Sequence, residues 1–185
     1  EEAFATLAAC LEMGITHIDT ANVYGGGRSE TLIGQFLAEQ GPAVRQGLHI
    51  ATKAGIARHP ETGARFYNNS LAYLEAELDK SLARLQTDYI DLYYIHRRDP
   101  GLPIEEVTGF LAQMLEKGKL RAFGFSEIAP SSLRRAAAVH PVAAVQSEYS
   151  LSTRAPELGL VQTCAELGVA LVAFSPVGRS LLTDT

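Results

Sequence analysis

The feature that most constrains this chain is an alternation of two hydrophobic periods. Short apolar or β-branched runs take turns with longer segments whose apolar residues recur every three and four positions between charges. The short runs Thr16–Asp19, Leu48–Thr52, Ile90–Ile95, Leu120–Phe125, Val142–Gln146 and Val169–Phe174 predict strands. The clearest helix between them is Leu71–Leu85. There Leu71, Leu74, Leu78, Leu82 and Leu85 form one stripe that Glu75, Glu77, Asp79, Lys80 and Arg84 largely avoid, with Ser70 placed to cap it. A second helix, Glu30–Gln40, follows Ser29 and stops at Gly41-Pro42; a third, Ile104–Lys117, follows Pro103 and ends at Gly118. Strands that alternate with helices and read as continuous apolar runs imply a parallel sheet with right-handed crossovers, an α/β fold. A doubly wound sheet and a (β/α)8 barrel both satisfy that pattern.

Composition narrows the function classes. At 185 residues, 46% hydrophobic and 20% charged, the chain suits one globular domain. Its 16 basic against 21 acidic residues give a net charge of −5, the wrong sign for an electrostatic nucleic-acid footprint, so no nucleic-acid partner is expected. Apolar stretches such as Val169–Phe174 fall far short of the roughly 20 residues of a spanning helix, and the acidic start lacks a basic leader region. The expectation is a cytoplasmic protein with no membrane contact. Cys10 and Cys164 stand apart in Ala-rich segments, and His17, His49, His59, His96 and His140 show no ligand spacing. No disulfide and no metal are expected. Gly55–Asn69 is a long polar connection, read as a loop over a site.

In parallel α/β folds ligands sit beyond the carboxyl ends of the strands, which directs attention to the polar residues there. Asp19 ends the first strand, Tyr24 follows before Gly25-Gly26-Gly27, Lys53 ends the second strand and His96 the third. Each alone has an ordinary structural explanation: a turn carboxylate, a packed phenol, a solvated lysine, a core histidine. Together they form a coherent device. A phenol with a pKa near 10 needs a neighbouring cation to act as an acid near neutrality, and Lys53 would supply the charge, with Asp19 orienting the ammonium and His96 the substrate oxygen. This chemistry suits carbonyl reduction, and its hydride must come from a cofactor because no side chain donates one. Gly25-Gly26-Gly27 lacks the dinucleotide-fold glycine spacing. Polar groups do gather at later strand ends: Ser126-Glu127, Gln146-Ser147-Glu148 and Phe174-Ser175-Pro176-Val177-Gly178. Ser126 and Gln146 offer hydrogen bonds suited to an amide, Phe174 a flat face, and Ser175–Ser180 hydroxyls and backbone donors for phosphate.

These residues resemble the aldo-keto reductases. Gly14-Ile15-Thr16-His17-Ile18-Asp19-Thr20-Ala21-Asn22-Val23-Tyr24-Gly25 is similar to the family's first signature, Ile50-Ala51-Thr52-Lys53 to its lysine strand, and Tyr89-Ile90-Asp91-Leu92-Tyr93-Tyr94-Ile95-His96 to its histidine strand. The resemblance spans essentially the whole chain and implies a (β/α)8 barrel that reduces aldehydes or ketones with a reduced nicotinamide, NADP(H) favoured over NAD(H). It implies that Tyr24 is the general acid, that Lys53 lowers its pKa and pairs with Asp19, and that His96 orients the carbonyl. It also implies that Ser126, Glu127 and Gln146 surround the nicotinamide, that Phe174 stacks on it, and that Ser175, Pro176, Val177, Gly178, Ser180 and Leu182 approach the pyrophosphate. Glu127 stands where the family commonly has Asn, and the Ser-Glu pair together with His96-Arg97-Arg98-Asp99-Pro100 is similar to the open-loop bacterial branch.

Set against the family pattern, residues 1–185 read as a single reductase domain truncated at both ends. It would begin in the first barrel helix, Glu2–Met13, and stop after the seventh strand, without strands one and eight. Two open sheet edges would then allow self-association. A non-catalytic nucleotide-binding or regulatory scaffold, or an inactive fragment, is the rival reading, and the retained Asp19, Tyr24, Lys53 and His96 weigh against the scaffold; an isomerase or lyase acting on phosphorylated substrates is a third and would need a different site, since the surroundings of Lys53 require no Schiff-base chemistry.

Overall fold

The computed structural model describes residues 2–184. Seven α-helices and eight strands follow one another along it. The helices are α1 (Glu2–Glu12), α2 (Arg28–Gln40), α3 (Pro42–Gly47), α4 (Leu71–Leu85), α5 (Ile104–Glu116), α6 (Pro130–Val139) and α7 (Leu160–Leu167). Six strands, β1 (His17–Asp19), β2 (His49–Ala54), β5 (Leu92–Ile95), β6 (Phe123–Ser126), β7 (Ala144–Glu148) and β8 (Ala170–Phe174), form one sheet. β3 (Ile56–Arg58) and β4 (Arg65–Tyr67) form a separate antiparallel hairpin.

The sheet order β1-β2-β5-β6-β7-β8 is the chain order, and every neighbouring pair is parallel. A doubly wound sheet reverses its strand order at a switch point; this one never does. The two faces are also unlike. One packs on the helices, through Leu74, Leu78 and Leu85 of α4, Val107 and Leu111 of α5 and Leu133 of α6 against Ile50, Tyr93, Ile95, Phe123 and Val145. The other is filled by strand side chains alone, Ala51, Tyr94 and Ala144 with Leu92 and Val172 beside them. Helices on the outside and interdigitated strand side chains within are the layering of a barrel wall. Among the described residues β1 and β8 each pair with one neighbour, so the curled sheet is an incomplete (β/α)8 barrel.

The helix on which the periodicity was clearest has the expected limits, Leu71–Leu85, with Leu74, Leu78 and Leu85 fully buried. It packs against α2 because Gly34 has no side chain: a Cβ there would lie 2.1 Å from the Arg84 carbonyl oxygen. Ser70 holds the N-cap position without a side-chain capping bond, and α2 starts at Arg28, one turn position before Ser29.

Several expectations need correction. The 55–69 connection is not an open loop, since β3 and β4 pair within it. Strand β2 runs on through Lys53 to Ala54 because the amides of Asn22 and His96 donate to the Lys53 and Ala54 carbonyls at 3.0 and 2.7 Å. Helices α3, α6 and α7 occupy segments that the periodicity left unplaced. No helix of the described residues is long and apolar enough to cross a membrane.

Candidate active site

The carboxyl ends of β1, β5, β6, β7 and β8 surround a cleft of about 400 Å³. Its walls include Asp19, Tyr24, His96, Ser126, Gln146 and Phe174, six of the residues picked out by the sequence, together with His17, Arg97, Val172 and Ala173. Lys53 lies at its floor, fully buried, with its ammonium 5.5 Å from the centre of the Tyr24 ring and 5.8 Å from that of Tyr94.

Each side chain has a local reason for its place. Asp19 is the last residue of β1, and its carboxylate meets Lys53 Nζ in an ion pair whose lysine is fully buried. The same ammonium donates to the Thr20 carbonyl oxygen at 2.9 Å. Gln146 Nε2 donates to the other carboxylate oxygen of Asp19 at 2.9 Å, tying β7 to β1 across the cleft. Tyr24 opens a 3-10 turn, Tyr24–Gly27, that leads into α2. The turn requires glycine at Gly27, whose φ is +94° and whose Cβ would stand 3.0 Å from the Arg84 side chain. The Tyr24 and His96 rings meet edge to face with centroids 5.9 Å apart.

Burial sets the charge states. The phenol of Tyr24 is raised above its ordinary pKa by burial and then by the nearby Asp19 carboxylate, with Arg97 opposing. The net direction is opposite to the one expected of Lys53, because burial and the Asp19 carboxylate together outweigh the opposing charge of Arg97. Burial pulls Lys53 itself down, against the pull of Asp19. His96 falls to about 4, through burial first and then the charges of Lys53 and Arg97, and is neutral at physiological pH. Its Nδ1 is buried without a hydrogen-bond partner.

Glu127 is turned away from the cleft. Its backbone adopts φ +53°, and its carboxylate accepts from the Glu148 amide at 2.7 Å and Ser147 Oγ at 3.1 Å, pinning the end of β6 to β7. Both bonds end on Oε1, so the side chain acts here purely as an acceptor. Ser175, Pro176, Val177, Gly178, Ser180 and Leu182 form a tight turn beyond β8, outside the cleft walls. Ser175, Gly178 and Ser180 adopt positive φ there, and Arg179 reaches Glu148 at 3.0 Å.

Sequence reasoning did not single out Arg97 or His17 as site residues. Arg97 follows a strand-end histidine directly, and His17 shares the face of Asp19 by the two-residue period of β1. Those were the available signals.

The residues present fit a nicotinamide ring. Phe174 offers a flat face, Gln146 keeps its amide oxygen as an acceptor after donating to Asp19, and Ser126 keeps its hydroxyl proton although Arg97 donates to its oxygen at 3.0 Å. No cluster of three or more metal-ligating side chains occurs among the described residues.

The sequence profile of the aldo/keto reductase family matches residues 1–185. The chain is 42% identical to a Schizosaccharomyces pombe protein named as an NADP(+) aldo-keto reductase, over 97% of this chain and 53% of that one. It is equally identical to a soybean (Glycine max) protein named probable aldo-keto reductase 1, over 97% of this chain and 51% of that one. The chain thus spans about half the length of the curated relatives it matches. In three dimensions it superposes on a glycerol dehydrogenase of Gluconobacter oxydans with a TM-score of 0.89 at 32% identity, covering 98% of this chain and 57% of that one. The holo aldo-keto reductase of Bacillus halodurans gives the same score and identity, with 99% and 60% covered. Signature, strand order and full-length profile match agree: the chain belongs to the aldo/keto reductase family.

Proposed function

We propose that this cleft reduces an aldehyde or ketone to the alcohol at the expense of NAD(P)H. The observation that carries the reading is the meeting of Tyr24, His96 and the Lys53–Asp19 ion pair at one group of strand ends, beside a face suited to a nicotinamide. When bound, the reduced nicotinamide supplies a hydride to the carbonyl carbon. Ser126, Gln146 and Phe174 would hold its ring, and the turn 175–182 would approach its phosphates. Glu127 would act on the ring only through the strand it pins.

Tyr24 donates its proton to the carbonyl oxygen. Its raised pKa keeps the phenol protonated before reaction, and an alkoxide developing beside it is far more basic than a phenolate, so the transfer runs downhill. Lys53 then steadies the phenolate left behind, and Asp19 keeps the ammonium in place. His96, neutral at pH 7, orients the oxygen by a hydrogen bond without competing as an acid. NADP(H) is the favoured cofactor because a relative at 42% identity is named for it.

The test is NADPH oxidation at 340 nm with an aromatic aldehyde, using the complete gene product that carries these residues. Turnover that disappears on Tyr24→Phe supports the reading. Cofactor binding without any turnover of aldehydes or ketones would instead favour a nucleotide-binding scaffold. The free edges of β1 and β8 add a second proposal, self-association of the isolated 185-residue chain, read by light scattering across a dilution series.

A further inference from the structure

Among the described residues the positive charge of Arg97 has no carboxylate partner. The side chain is half-buried on the cleft wall, where Nη1 donates to the His96 carbonyl oxygen at 2.6 Å and to Ser126 Oγ at 3.0 Å. Among the described residues no carboxylate oxygen comes within 4.0 Å of it. The other cation of the site, Lys53, is matched by Asp19, and His96 is neutral, so Arg97 is the charge this cleft leaves uncompensated. Both of its bonds leave from Nη1, and the donors on Nε and Nη2 remain for a planar anion.

We propose, on the reading that this cleft reduces carbonyl compounds, that its preferred substrates are oxo acids and that Arg97 holds the carboxylate while Tyr24 faces the carbonyl oxygen. Three features support this class. The guanidinium is fixed by two hydrogen bonds before any substrate arrives, so little side-chain freedom is lost on binding. It lies on the same wall as His96, which places anion and carbonyl recognition within one small cleft. A neutral substrate that covers Arg97 strips its water and returns no counter-charge, so discrimination comes as much from rejecting the neutral analogue as from binding the acid. Arg97 is on this account a specificity-determining residue. The proton still comes from Tyr24.

The experiment compares para-formylbenzoate with its methyl ester as substrates of the complete gene product with NADPH. The expected result is a kcat/KM for the acid about 10- to 100-fold above that for the ester, carried by KM. Arg97→Met brings the ratio close to one, and Arg97→Lys retains part of it; a ratio of two rates is insensitive to general damage. Benzoate and benzamide binding, measured by calorimetry on the same proteins, gives a readout independent of turnover. Benzoate is expected to bind the native protein better than benzamide and to lose that advantage in Arg97→Met. An acid-to-ester ratio that is unchanged by Arg97→Met overturns the proposal. So does a variant that weakens NADPH binding and both aldehydes alike, which would assign Arg97 to the cofactor. Reduction of neither aldehyde, with benzoate still bound through Arg97, removes the reductase reading and leaves the carboxylate site. Equal reduction of both leaves the reductase and removes the site.

Discussion

Gln146 donates to the Asp19 carboxylate across 127 positions of sequence, joining β7 to β1 across the cleft. Asp19 therefore divides its two oxygens between Lys53 and Gln146. Gln146→Leu removes a hydrogen bond to a charged group and should cost about 1.5 to 3 kcal/mol in urea unfolding. It also frees the carboxylate to drift, and NADPH affinity should fall by about 10-fold in a fluorescence titration. Unaltered stability would mean that water replaces the amide without loss.

Tyr24 is the most direct test of the chemistry. The residue is 42% exposed, and among the described residues its hydroxyl has no hydrogen-bond partner. Tyr24→Phe should therefore change stability by no more than about 0.5 kcal/mol. Aldehyde reduction should fall by about 100-fold or more, the contribution of a positioned proton donor. Cofactor titration on the same protein should give the native affinity, which separates loss of the acid from loss of the cleft.

How much of this was legible beforehand depended on whether a feature lives in the side-chain pattern or in three-dimensional charge balance. The helix Leu71–Leu85 was readable because five leucines mark one face, and the strand-end residues Asp19, Tyr24 and His96 because parallel sheets place sites there. The hairpin Ile56–Arg58 with Arg65–Tyr67 was not, since β4 is exposed throughout and carries no alternation. Glu127 is placed at the cofactor by the family resemblance alone, and a left-handed backbone at that one residue sends its carboxylate to β7. The direction of the Tyr24 shift depends first on burial and then on the Asp19 carboxylate, neither of which spacing reports.

His96 should make the fold sensitive to mild acid. An unfolded histidine titrates near 6.5, whereas His96 does so at about 4. Between those values the unfolded chain holds the extra proton, so stability rises with pH through the window. The stabilisation is complete above about pH 6.5 and is lost as pH falls toward 4, to a limit of about 3 kcal/mol. Carboxylates titrate in the same range, so the measurement is a comparison. The drop in Tm between pH 7 and pH 4.5 should be smaller in His96→Gln than in the native protein, and an equal drop would show that His96 is freely solvated.

Behind the Tyr24 turn, Glu30 is fully buried and accepts from Thr52 Oγ1 at 2.5 Å and Arg84 Nε at 2.6 Å, while Arg84 packs beneath Gly27. Removing one partner of such a pair leaves the other charge buried and alone. Arg84→Met should therefore destabilise the protein by about 3 to 5 kcal/mol. Glu30→Gln with Arg84→Met relieves the stranded charge, and the double variant should be more stable than Arg84→Met alone. Because the turn Tyr24–Gly27 rests on this pair, the double variant should also recover part of the reductase activity that Arg84→Met loses. Additive losses in urea unfolding would show that solvent reaches Glu30 once the guanidinium is gone, and that the turn is held by its glycines alone.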